Sequence, residues 1–295
     1  MTRQTKEIVI KYIFFLFALV SVIVLGLIVF SLFREGLPIF DKVSVKEFLF
    51  GREWYPTFDP PSFGIFPLIV GSLIVTLLAT LIAVPLGVLA AIYISEIAPQ
   101  SIKEILKSVI ELLAGLPSVV LGFFGMVVVA PWLQDTFDLP TGLNIVNASM
   151  ILALMAIPTI SSISEDALYA VPREFKEASY ALGATKYETI TRVIFPAAIS
   201  GISTAIMLGM ARAIGETMVV LMVAGGAAAI PESLFDSVRP MPASIAAEMG
   251  ETPYRSSHYS ALFATGIVLF CLTLTFNLVA DYVSHKFRQV GSGTL

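Results

Sequence analysis

Ser164–Ala198 reads SEDALYAVPREFKEASYALGATKYETITRVIFPAA, the one long hydrophilic interruption in an otherwise apolar second half. Pro172 suits the first turn of a helix, where the N–H that proline lacks has no partner anyway. Phe175, Ala178, Ser179 and Leu182 then fall on one helical face, with Arg173, Glu174 and Lys176 off it. Gly183 is placed to take the left-handed conformation that ends a helix. Thr185 and Glu188 have the spacing of a capping box, which starts a second helix at once. The stretch predicts a helix, a glycine turn and another helix, rigid enough to carry a push.

Composition sets that hairpin against a membrane. Of 295 residues, 57% are hydrophobic and only 14% are charged; mean hydropathy is +0.87. A soluble domain carries nearly twice that charge, about 25%, so the chain is an all-α integral membrane protein. A net charge of −4 gives no bias toward nucleic acid. The single cysteine, Cys271, excludes an intrachain disulfide. His258 and His285 stand at opposite ends of one apolar run and cannot share a metal. No catalytic triad, metal site or cofactor site is expected. There is also no G-x-x-x-x-G-K-S/T loop, so nucleotide binding of the P-loop kind is excluded.

Six spans follow from hydropathy. Tyr12–Phe33 has 22 residues without a charge, too long for a signal peptide and without a small-x-small cleavage site, so it is an uncleaved span. Arg34–Ile65 is a polar loop with Trp54, Tyr55 and Pro56. The second span runs from about Phe66 to Ile94, with a kink expected at Pro85. The third covers about Ser108 to Pro131, followed by a loop in which Asp135 and Asp138 read as a solvated turn. The fourth covers Ile145–Ile163, the fifth Ala197–Ala224 and the sixth His258–Val283, with a second polar loop at Gly225–Ser257. Residues 1–65 form a first helix with its external loop, and 66–295 a five-helix core carrying the hairpin at 165–196.

Six spans put both termini on one side. That side, hairpin included, carries 11 Lys and Arg against 6 on the other. The positive-inside rule therefore places the termini and the hairpin in the cytoplasm.

Arg212 and Glu216 stand four apart in the fifth span, on one helical face, with Arg212 near its middle. Thr204, Leu208, Arg212 and Glu216 make one ridge; Gly201, Ala205, Gly209 and Ala213 make its neighbour, at small-xxx-small spacing that admits another helix. An arginine at such depth costs at least about 2.5–3.5 kcal/mol and must face a partner or a wet cavity. Two readings stand. One is a structural ion pair that locks helices. The other is an anion site, since a planar guanidinium matches phosphate oxygens bidentately and Glu216 would hold it between anions. The loop residues Arg239 and Arg255 read mainly as solvated charges.

Two motifs resemble known families. Glu177-Ala178-Ser179, Gly183 and Val193-Ile194-Phe195-Pro196 are spaced like the EAA loop of ABC-transporter permeases, with Val193 and Phe195 where Ile and Leu are usual. The resemblance implies the type I importer permease fold and a hairpin that docks into a groove on a cytoplasmic ATPase, through Glu177, Ala178, Ser179, Gly183 and Pro196. Arg212-Ala213-Ile214-Gly215-Glu216-Thr217 resembles the R-A-x-G-E-T signature of phosphate-specific ABC permeases, and Gly115-Leu116-Pro117-Ser118-Val119-Val120 falls where that family has another motif. The long first loop is more similar to the PstC-type subunit than to its PstA-type partner. The resemblance implies a pathway at Arg212, Glu216, Thr217 and Ser118. It also implies a bacterial or archaeal-type inner membrane, a second homologous permease, two cytoplasmic ATPases that hydrolyse ATP, and an external phosphate-binding protein. An ABC permease for sulfate or molybdate, or an ion-coupled secondary anion transporter, are the alternatives.

Overall fold

In the computed structural model, residues 3–287 are described. Arg288, counted in the charge balance, lies outside them, as do the side chains of Arg3, Lys6, His285 and Lys286. Among the described residues six helical segments are long and apolar enough to cross a membrane: Ile10–Asp41, Phe66–Ile97, Ser118–Phe137, Ile145–Tyr169, Lys186–Ile214 and Ser257–Val279.

Helix α1 (Arg3–Gly36) leads into a 3-10 turn at Leu37–Asp41. The expected first loop is folded. It holds α2 (Val45–Phe50) and a small hairpin in which β1 (Trp54–Tyr55) runs antiparallel to β2 (Ser62–Phe63), Trp54 opposite Phe63. Phe48, Trp54, Phe63 and Ile65 are buried there against Met241 and Leu262. Burying such large side chains outweighs the polar content that made the segment read as a loop.

Helix α3 (Phe66–Ile92) continues through Pro85 and ends in a π-helical turn, Tyr93–Ile97. The expected third span is corrected at its start. Helix α4 (Gln100–Ala114) is a separate element and carries Lys103, Glu104, Lys107 and Glu111. Gly115 closes it, extended Pro117 interrupts the backbone, and α5 (Ser118–Phe124) begins the span proper. That span passes through a second π-turn, Gly125–Val129, into α6 (Ala130–Phe137).

Helix α7 (Ile145–Tyr169) is longer than expected and takes in Ser164 and Glu165, the first residues of the predicted loop. Both are buried, so tertiary cover rather than hydropathy decides the helix end. After the hairpin helices α8 (Arg173–Ala181) and α9 (Lys186–Thr189), a third π-turn, Ile190–Ile194, joins α9 to α10 (Phe195–Ile214). The expected fifth span ends early, at Ile214; α11 (Met218–Val223) is a distinct short helix. Helices α12 (Met241–Glu248) and α13 (Ser257–Phe287) complete the chain.

The centre is the packing of α3, α7 and α10. Ala79, Ala83, Leu152, Ala156, Ile160, Ala205 and Ala213 are all buried. At Gly209 a Cβ would stand 2.6 Å from Ile160 of α7, so only glycine lets these helices approach so closely. The small-residue ridge read from the sequence is thus a packing face, and Ala205 and Ala213 on it are buried. The helical hairpin lies at one face of the bundle, together with the end of α3 and α4; β1, β2 and α12 lie at the opposite face.

Candidate functional site

The hairpin is built by its caps. Gly183 has φ 84°, with nothing within 4 Å of a Cβ placed there, so its glycine serves backbone conformation alone. Thr185 Oγ1 accepts the Glu188 N–H at 3.3 Å, and Glu188 Oε2 accepts the Thr185 N–H at 2.9 Å, the reciprocal box expected from the sequence. Ser179 Oγ lies 2.9 Å from Thr189 Oγ1 and pins α8 to the end of α9. Of the predicted docking residues, Ser179 is therefore an internal pin, while Glu177, Ala178, Gly183 and Pro196 are exposed. The exposed surface includes large side chains: Leu182 is 90% and Tyr187 75% exposed. A rigid unit showing apolar side chains to water has the form of a docking surface.

The second feature is a break. The backbone leaves α10 at Gly215 (φ −90°, ψ 0°), and this overturns the expectation that Arg212 and Glu216 share a helical face. Arg212 occupies the last turn of α10, not the middle of a longer helix, and Glu216 lies beyond the helix end. Glu216 Oε1 instead accepts the N–H groups of Met218 (3.1 Å) and Val219 (3.4 Å), which start α11. Among the described residues no ion pair joins Arg212 to Glu216 or to any other carboxylate. The structural ion-pair reading is not what the protein adopts.

Arg212 is nonetheless deep. It shares a small cleft with Leu152, Met155, Ala156 and Glu216, beside α7. At 1.5 Å per residue those positions lie about 10–17 Å along α7 from its start. The guanidinium is exposed on the surface of the single chain, level with apolar helix. Ser118 opens α5, four residues before Gly122, which packs on Met222 and Val219 of α11. The break thus approaches α5 through α11, but no direct contact brings Ser118 to Arg212. Thr217 donates only to the Gly215 carbonyl, at 3.4 Å.

The sequence reading missed two polar clusters. At the opposite face, Glu248 accepts from Trp54 Nε1 (3.1 Å to each oxygen), Arg239 Nη1 (2.7 Å) and Ser244 Oγ (2.9 Å), and pairs with His258 Nε2 at 2.7 Å. Arg239 is therefore not a solvated charge. At the hairpin face, Glu165 pairs with Lys103 (3.0 Å) and Lys107 (3.2 Å), and Lys176 of α8 pairs with Glu96 at 2.7 Å. The hairpin-face partners are at least 58 residues apart, and Trp54 is 194 from Glu248, so no local spacing announces those contacts; Ser244, Arg239 and His258 lie within 10 residues of Glu248.

A bundle of six apolar spans, with a rigid hairpin on one face and a broken helix ending at a cation that pairs with no carboxylate among the described residues, has the form of a subunit of a membrane transport system. Comparison with known proteins places it further. The chain belongs to the family described as binding-protein-dependent transport system inner membrane component, whose model matches residues 83–289. It is 41% identical over 286 residues to a probable ABC transporter permease protein, YqgH, of Bacillus subtilis, covering 96% of this chain and 93% of that one. It is 34% identical over 285 residues to the phosphate transport system permease protein PstC of Mesorhizobium japonicum, covering 90% and 86%. The fold matches a crystal structure of a bacterial alginate ABC transporter, with TM-score 0.68 at 16% identity over 98% of this chain and all of that one (100%). It also matches the MetNI methionine ABC transporter, with TM-score 0.57 at 20% identity over 77% and 95%. At such identities the structures speak for the fold alone, that of an ABC importer permease.

Proposed function

We propose that this chain is the PstC-like permease subunit of an ATP-driven phosphate importer. The observation that carries the reading is Arg212, a cation at membrane depth with no carboxylate partner. An ionised group at such depth is expensive unless it has a task, and a guanidinium offers two parallel N–H donors to an oxyanion. The break at Gly215 adds to it: interrupted helices recur where membrane proteins hold ions near mid-membrane. Relatives named as phosphate permeases support phosphate over sulfate or molybdate.

The arrangement suggests a division of labour. Arg212 binds the anion transiently; Glu216, committed to the start of α11, holds the break open; Thr217 and Ser118 line the same pathway. Glu177, Ala178, Ser179, Gly183 and Pro196 form or support the hairpin that engages a cytoplasmic ATPase. The hairpin and both termini face the cytoplasm, a placement supported by the 11 to 6 bias in positive charge. The chain has no P-loop, so hydrolysis belongs to two ATPase subunits. A PstA-like permease completes the pathway, and an external phosphate-binding protein delivers the ion to the folded segments 34–65 and 225–257. Residues 1–65 serve as an accessory helix and outer segment, and 66–295 as the permease core.

Labelled-phosphate uptake into vesicles holding the chain with its co-purified partners tests this. Uptake that requires ATP on the hairpin side supports the reading. Uptake driven by an ion gradient alone, or sulfate carried in place of phosphate, defeats it.

A further inference from the structure

The hairpin face holds two carboxylates that the pathway and the docking surface do not use. Glu165, at the foot of α7, is 5% exposed and sits between Lys103 (3.0 Å) and Lys107 (3.2 Å) of α4. Lys103 also lies 5.3 Å above the Tyr169 ring, one helical turn further along α7. Glu96, in the π-turn that ends α3, pairs with Lys176 of α8 at 2.7 Å, and its side chain is 9% exposed. A nearly buried carboxylate without its cation is costly, so each pair holds its two elements together tightly.

These pairs lie between the moving part and the site. The hairpin follows directly on α7. Helix α4 buries none of its side chains, so little apolar packing fixes it elsewhere. It continues through Gly115, Leu116 and Pro117 into α5. Gly122 of α5 packs on Met222 and Val219 of α11, and the N–H groups of Met218 and Val219 are held by Glu216.

We infer that Glu165 and Glu96 are positioning residues that couple the hairpin to the pathway: Glu165 makes α4 and α5 move with α7, and Glu96 makes the end of α3 move with α8. A hairpin displacement then reaches the break at Gly215 along two routes, through α10 and through α4–α5–α11. Each pair is a discrete, breakable contact, and the coupling through it is measurable. The transport part of it rests on the proposed function above.

The experiment uses the assembled complex, with two readouts. The first is ATP-driven phosphate uptake and ATPase rate for wild type, Glu165→Gln, and a charge exchange combining Glu165→Lys with Lys103→Glu and Lys107→Glu. Glu165→Gln is expected to lower uptake roughly tenfold while ATP hydrolysis stays within about twofold and assembly is intact. The exchange is expected to restore most of the uptake. Wild-type uptake in Glu165→Gln, or no recovery in an assembled exchange variant, overturns the inference. The second readout needs no phosphate: spin labels at Glu111→Cys and Asp166→Cys, in a Cys271→Ser background, with and without ATP. One unchanged α4–α7 distance in wild type, splitting into a broad distribution in Glu165→Gln, supports the clamp. A wild-type distance that changes with ATP overturns it, whatever the transported ion proves to be.

Discussion

Glu248 and Arg212 are both charges set among apolar helices, and they are treated in opposite ways. Glu248 is satisfied by a tryptophan, an arginine, a serine and a histidine drawn from β1, the loop before α12, α12 and α13. Among the described residues Arg212 pairs with no carboxylate, and it stands at the end of a helix that stops two residues later. A well-satisfied, half-buried polar cluster rigidifies what it joins. An unsaturated charge keeps its interaction energy for something that arrives. The first stitches segments 34–65 and 225–257 into one unit; the second, on the function proposed above, is where a travelling anion has something to gain.

The widest gap between the two should open in transport. Arg212→Ala is expected to abolish ATP-driven phosphate uptake, by roughly a hundredfold or more, with thermal stability of the detergent-solubilised complex unchanged. A stability loss equal to the transport loss would make Arg212 another Glu248. The converse substitution, Glu248→Ala, leaves Arg239 Nη1 and Trp54 Nε1 without their acceptor, while Arg239 Nε keeps the Gly226 carbonyl. It should destabilise the outer segments by about 3 kcal/mol, read as a lower unfolding midpoint, while the folded fraction transports normally. A smaller effect is expected at the helix contact that positions Arg212. Gly209→Ala pushes a methyl toward Ile160 and should cost about 1–3 kcal/mol and slow uptake by moving α10 outward.

The smallest concerns pH. The hydrogen bond to Glu165 holds Lys107 above the ordinary lysine range, more than its partial burial lowers it. A cation whose pKa is raised by folding contributes stability that is fully present below its unfolded value and is lost as pH rises through the folded one. The α4–α7 label distance should therefore hold from neutral pH to beyond the usual titration of lysine. In Lys107→Met the hydrogen bond to Glu165 is lost, and the distance distribution should broaden.

What the sequence made legible was local. The hairpin was readable because Pro172, Gly183, Thr185 and Glu188 act within a turn of their own positions, and the spans because hydropathy needs no partner. The break at Gly215 was hidden. Met210–Ile214 continues as good helix, a single glycine inside a helical pattern is tolerated, and the next apolar run, Met218–Val223, completes a span's worth of hydropathy. The division between α4 and α5 was hidden in the same way by apolar Leu113–Val120, although charges at 103, 104, 107 and 111 mark α4 as amphipathic. The Glu165 cluster was out of reach, because ion pairs between distant segments leave no periodicity; at Glu248 the partners are near in sequence, but only Ser244, four residues before it, stands at helical spacing, and Trp54 joins from 194 residues away. Glu165 had still offered a hint, as a carboxylate lying just past the end of an apolar span.

The π-turn at Ile190–Ile194 has a consequence for rotation. It accommodates one residue more than an α-helical turn would, between the docking hairpin and α10. Each residue of α-helix advances the azimuth by about 100°, since 3.6 residues complete a turn. The bulge thus takes up an extra residue without turning α10 against the hairpin. Deleting one residue there would restore an α-helical turn and leave the guanidinium on its present face. The same deletion between Phe195 and Arg212 has no bulge to absorb it and would swing the guanidinium about 100° around the helix axis relative to the hairpin.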